Sequence, residues 1–296
     1  MLSTNSSIFI ACSLLGGMGW IFGPSQVKYL PPEMAVAYRF IMAGILTILF
    51  AFISRYKHRP INFKTQGVFI VQGICMFSIN YILAYYALNY VLSGIVAAIL
   101  SMLVIPNTLL ESLFFKKKYT SKKILVTLVG FIGIVLLFLG DHKDNNFGIS
   151  IGKGVLLCCC SMFFTSLGAN LSQYFKKTTI APVWAVGFSM LWGGSFSLIY
   201  AHIKLGKLLF PLEQEFIISL LALTVLSTLI FILYQILLTR KGAGFAAYVW
   251  VITPAIALLL SWLFEGLTLT NAGALGIMII MLGGVLNLIL KDKSYA

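Results

Sequence analysis

Apolar residues in this chain come in long blocks rather than alternating with polar ones. Ten stretches stand out, at roughly 8–28, 33–54, 67–88, 93–115, 123–140, 153–175, 183–203, 216–239, 243–264 and 270–290. Most approach the ~20 residues that a helix needs to cross a bilayer. Outer-membrane strands would alternate polar and apolar positions, and these stretches do not. The pattern predicts an all-α membrane protein with ten transmembrane helices, numbered here as spans one to ten. The longest polar connections, 55–66, 141–152 and 204–215, are too short to fold as separate domains.

Composition agrees. Of 296 residues, 60% are hydrophobic and 10% charged, against about 45–50% and about 25% in soluble domains. The net charge of +13 raises the prospect of nucleic acid as a partner, and the placement of the charges excludes it. They sit in short loops between apolar stretches. With the N-terminus in the cytoplasm, fifteen Lys and Arg fall in inside loops or the C-terminal tail, and five (Lys28, Lys143, Lys153, Lys204, Lys207) fall outside. Acidic residues run the other way, with six outside, Glu33 and Glu265 among them. This bias orients multi-pass proteins and predicts that both termini face the cytoplasm. Residues 1–7 carry no Lys or Arg, so the first stretch reads as a retained span rather than a cleaved signal.

The chain also repeats itself. At a shift of 148 residues Gly94 meets Gly242, Ala98 meets Ala246, Pro106 meets Pro254 and Tyr86 meets Tyr234. At 150, Pro32 meets Pro182 and Gly44 meets Gly194. The halves, 1–145 and 150–296, hold five spans each. An odd number places them in the membrane with opposite orientation. Such inverted repeats characterise secondary transporters that bind substrate near the midplane.

These features resemble the EamA family of the drug/metabolite transporter superfamily. The resemblance rests on the two five-span halves and on a proline midway along the fourth span of each. It rests also on Pro254 to Thr268 with Glu265, on Gly242-Ala243-Gly244, on Arg39 after Pro31-Pro32, and on Tyr86-Ala87-Leu88. It implies a ten-helix inner-membrane carrier of small metabolites with a central cavity. One position departs: Lys117 stands eleven residues after Pro106, where the second half has Glu265. Each obeys the charge bias of its own side of the membrane.

No catalytic constellation is present. His58, His142 and His202 lie far apart, and the five cysteines fall inside apolar stretches, where thiols act as small apolar groups. The expectation is therefore no enzyme, no cofactor and no metal. Two charges, Arg39 and Glu111, lie within spans. Arg39 is about 9 Å deep and Glu111 roughly 27 Å from the same face, at 1.5 Å per residue, which predicts no direct pairing. Glu111 is expected to snorkel towards water or Lys116–Lys118. Arg39 either orders neighbouring helices or attracts an anionic group.

Pro24, Pro106 and Pro254 each remove a helical hydrogen bond, freeing the carbonyls of Trp20, Met102 and Trp250. Gly19-xxx-Gly23, Gly94-xxx-Ala98 and Gly242-xxx-Ala246 have the spacing of close helix packing. The glycines of spans five and ten fit packing within a monomer or a dimer. Polar and aromatic residues at mid-depth mark a candidate cavity; Ser78, Ser101 and Thr165 belong to this set. The candidate substrate-binding residues are Trp20, Arg39, Asn80, Tyr81, Asn107, Tyr234 and Trp250, with Tyr81 and Tyr234 across from the two tryptophans. The expected partners are the lipid bilayer and a small polar metabolite, an amino acid or nucleoside-like compound. A non-transporting or enzymatic membrane protein acting on a lipid or prenyl substrate is the alternative.

Overall fold

The computed structural model describes residues 4–56, 63–115, 129, 132–133, 136, 145–177, 180–247, 249–264, 266 and 270–289. Among them the chain is helical, with no strand. Among the described residues seven helices are long and apolar enough to cross a membrane: Asn5–Tyr29, Pro32–Ile53, Phe63–Ala87, Ile95–Phe114, Gly152–Phe175, Pro182–Leu205 and Gln214–Lys241. They occupy the positions of spans one to four and six to eight. Span nine is helical over Ala243–Ala246 and Val249–Phe264, and span ten over Asn271–Ile289. Most of span five lies outside the described residues, as do Lys116–Lys118, Glu265 and Thr268.

Local chemistry sets the helix ends. Spans two and seven both start at a proline, Pro32 and Pro182, after an extended residue. Proline suits the first helical position because its missing N–H would have no helical partner there. Span seven stops at Gly206, whose φ of 69° is left-handed and whose N–H bonds to the His202 carbonyl. Glycine adopts that conformation without a Cβ penalty.

Packing partners are the same in the two halves. Span one packs on spans eight and nine, and span six on spans three and four; span two meets span seven, and span four meets span nine. Glycine makes the tightest of these approaches possible. A Cβ on Gly73 of span three would collide with the Ser189 carbonyl of span seven, and one on Gly194 would sit 2.7 Å from the Ile41 backbone nitrogen of span two. Ile45, Phe52, Leu156, Ile199, Leu221 and Leu259 point outwards. A water-soluble surface would not gather so many large apolar side chains, and a lipid-facing one does.

Polar contacts close both ends of the bundle. At one end Lys28 pairs with Glu215 at 2.7 Å, and Lys204 pairs with Glu33 at 2.6 Å. The Tyr86 hydroxyl donates to Glu33 and accepts from Lys204. At the other end, where Arg240 lies, a buried layer joins the halves. Gln72 of span three bonds Ser172, Ser189 and Gln235 of spans six, seven and eight. Gln173 bonds both Asn170 and Glu111.

Candidate functional site

Between these end contacts lies a two-lobed cavity. The larger lobe, about 530 Å³ with the open space at its mouth included, is lined by Trp20, Asn80, Tyr81, Thr165, Trp250 and Thr253, with Met76, Leu100, Leu103 and Phe231 among its apolar walls. The smaller, about 400 Å³, is lined by Gly16, Gly19, Gly23, Arg39, Tyr85 and Ile230. Trp20, Tyr81 and Trp250 line both lobes. An apolar wall with a few placed polar groups is the usual construction of a small-ligand site.

Helix irregularities place these side chains. Span one tightens into a 3-10 turn over Trp20–Phe22 just ahead of Pro24. The Trp20 carbonyl released by Pro24 accepts instead from the Gly23 N–H. Span three widens into a π turn over Cys75–Ile79, and Met76, Asn80 and Tyr81 of the lobe wall lie in or beside it. Single π turns recur at functional sites because they re-aim the side chains around them. Thr253, beside Pro254, bonds the Val249 carbonyl at 3.0 Å.

Arg39 is 5% exposed. Its Nε donates to Ser227 Oγ at 2.8 Å and its Nη1 to the Tyr85 hydroxyl at 3.0 Å. The guanidinium lies 5.0 Å from the Phe40 ring centroid and 4.7 Å from that of Tyr81. No carboxylate among the described residues pairs with it. Asn80 donates to Thr165 Oγ1 at 2.6 Å, and its own carbonyl oxygen has no partner.

Two of the seven expected residues stand apart from the lobes. Tyr234 is fully buried and lies behind Trp250, edge to face at 5.5 Å, rather than across the cavity from it. Asn107 is also fully buried; its backbone carbonyl accepts from Asn170. The Tyr234 hydroxyl is close to Trp250 and Asn107, yet the geometry makes no hydrogen bond. The hydroxyl, both polar atoms of the Asn107 amide and Trp250 Nε1 are all left without partners. Buried polar groups are normally satisfied, so a cluster of orphans asks for an explanation.

Four expectations need correction. Glu111 does not reach water: it is 1% exposed and takes a hydrogen bond from Gln173, while Lys116–Lys118, its other expected partners, lie outside the described residues. Gly19 is not a packing glycine, since a Cβ there would meet nothing within 4 Å; it walls the smaller lobe. Ser78 belongs to helix packing, bonded to Ser197 of span seven. Glu33, assigned to an outside loop by its charge, is a third buried charge, with no exposed surface.

The EamA-like transporter family matches this sequence in two repeats, residues 6–139 and 152–289. The chain belongs to the EamA-like transporter family. Among its relatives is the uncharacterized transporter YdfC of Bacillus subtilis (strain 168), 25% identical over 256 residues, which are 86% of this chain and 80% of that one. The uncharacterized transporter YvbV of the same organism is 24% identical over 274 residues, 90% and 86% of the two chains. A solved crystal structure superposes on 98% of this EamA-like chain and 99% of its own, with a TM-score of 0.71 at 18% identity. That likeness concerns the fold. Family and relatives together make this a multi-pass membrane transporter, and point away from an enzyme.

Proposed function

We propose that the chain is a secondary carrier of a small polar metabolite, of amino-acid or nucleoside-like size, working in the inner cell membrane with both termini in the cytoplasm. One observation carries this reading: the cavity is shared by the two repeats, with Trp20 of one and Trp250 of the other on both lobes. Substrate sits between the halves, as it does in inverted-repeat carriers. In this reading the halves are inverted and alternate. The Glu33–Lys204–Tyr86 and Lys28–Glu215 contacts close the outer side. The layer of Gln72, Ser172 and Gln235 closes the inner side. Gln72 is four residues before Met76 of the lobe wall, hence about 6 Å beyond it along span three. A carrier of this kind needs one closure open while the other holds, and each closure here joins side chains from both halves.

The test is counterflow in proteoliposomes loaded with a metabolite mixture and read by mass spectrometry. At least one small polar compound should exchange across membranes holding wild-type protein. Gly19→Leu, which fills the smaller lobe from a position with open space around it, should stop the exchange while inserting normally. Exchange undiminished by Gly19→Leu would contradict the cavity reading.

A further inference from the structure

Arg39 is a buried cation, and among the described residues no carboxylate pairs with it. Taking a guanidinium out of water is costly unless its charge is met. Here it is met only in part, by the neutral hydroxyls of Ser227 and Tyr85, by the nearby Tyr81 hydroxyl and by two ring faces. The two hydrogen bonds occupy two of its five N–H donors. The acids of neighbouring spans are committed elsewhere: Glu33 to Lys204 and Tyr86, Glu111 to Gln173. The guanidinium borders the smaller lobe, which Gly16, Gly19 and Gly23 of span one also line. Gly16 packs on Thr253 and Gly23 on Leu88, whereas a Cβ on Gly19 would meet nothing within 4 Å, so the space beside the charge for a ligand's head group opens at Gly19.

We propose that the substrate is a small monocarboxylate, its carboxylate held by Arg39 in the glycine-walled lobe and its apolar or aromatic body in the larger lobe. This rests on the cavity reading above and narrows it. Three features fix the class. A planar guanidinium fork matches a carboxylate. One cation, with no lysine or second arginine among the described residues of either lobe, balances one negative charge and not two. Among the described residues no carboxylate lines either lobe, so the ammonium of a zwitterion would find no counter-charge among them. The body meets Met76, Leu100, Leu103 and Phe231, with Asn80 and Thr165 the polar groups beside it. The Tyr81 ring, which carries the guanidinium on one side, lines both lobes.

Calorimetric titration of the full-length protein with matched probes tests this. The probes are 3-phenylpropionate, its amide, 3-phenylpropylamine and phenylalanine. The carboxylate should bind at least about tenfold tighter than the amide or the amine, as expected for a hydrogen-bonded charge. Phenylalanine should bind no tighter than 3-phenylpropionate. Arg39→Lys should keep part of the preference and Arg39→Gln should erase it; the wild-type comparison stands even if either variant fails to fold. Equal binding of amide and carboxylate, or no binding of the carboxylate, overturns the proposal. Should the amide bind equally and Gly19→Leu abolish its binding, the anion assignment falls and the cavity reading survives. Carboxylate binding that persists in Gly19→Leu would overturn the lobe assignment and the cavity reading with it.

Discussion

The rings of Tyr234 and Trp250 meet edge to face, 5.5 Å between centroids and 63° between planes, with neither polar tip hydrogen-bonded. The pair belongs to two different spans of the second repeat, and Trp250 alone of the two reaches the cavity. An aromatic pair gains from this edge-to-face arrangement, while its unpaired O–H and N–H weigh against it. The contact therefore holds Trp250 in place from behind and leaves donors unused at the floor of the site.

Tyr234→Phe separates these effects. It keeps the ring contact and removes a buried hydroxyl that has no partner. Desolvating such a group costs about 1–3 kcal/mol, so the melting temperature of purified Tyr234→Phe should be equal to or above that of wild type. A clear drop would mean that the hydroxyl is bonded in the membrane-embedded protein. Asn107→Ala is the contrasting variant, because it opens a void in the core as well.

The two ion pairs at the Lys28 end should differ sharply in weight. Lys28 and Glu215 are 59% and 46% exposed in their side chains, whereas Lys204 is 43% exposed and Glu33 not at all. Exposed pairs contribute about 0–1 kcal/mol, so Lys28→Met should barely change thermal stability. Lys204→Met leaves a buried carboxylate unneutralised and should cost about 1–3 kcal/mol, less than a fully buried pair because Lys204 is half in solvent. Adding Glu33→Gln to Lys204→Met should recover stability, since the glutamine carries no charge to bury. Equal melting shifts for Lys28→Met and Lys204→Met would refute this ranking.

Much of this was legible in the sequence, for physical reasons that differ by element. The spans announce themselves because lipid demands long apolar blocks, and the starts at Pro32 and Pro182 follow from proline chemistry alone. Trp20, Asn80, Tyr81 and Trp250 could be chosen for the cavity because polar or amphipathic side chains at mid-depth are costly without a purpose. Glu33 was not legible. Its burial depends on Lys204, 171 residues away, and its charge beside Pro31-Pro32 reads as loop. Gly19 and Gly23 have packing spacing; Gly23 does approach Leu88 closely, and only the tertiary arrangement leaves Gly19 with open space on a cavity wall. The polar layer left a trace that was open to reading: Gln72, Gln173 and Gln235 are amides inside apolar spans, and such groups seek partners across helices. Which partners they find is set by the meeting of the two halves.

Orientation can be checked with two exposed positions on opposite ends of the bundle. Lys207 follows span seven and Lys241 ends span eight. In a background lacking the five native cysteines, Lys207→Cys should react in intact cells with a membrane-impermeant maleimide. Lys241→Cys should react only after permeabilisation. The reverse pattern would place the termini outside and contradict the charge bias.

The central claim is that substrate binds between the repeats, against Trp20 and Trp250, and tryptophan emission reads this most directly. An aromatic contact contributes about 0.5–1.5 kcal/mol, so truncating either ring alone, Trp20→Ala or Trp250→Ala, should weaken binding roughly two- to twelve-fold. A compound that exchanges in proteoliposomes should shift the emission of the wild-type protein, and the Trp20→Phe, Trp250→Phe double variant should largely lose that shift while the other three tryptophans still emit. A full-sized shift in the double variant would place the substrate elsewhere.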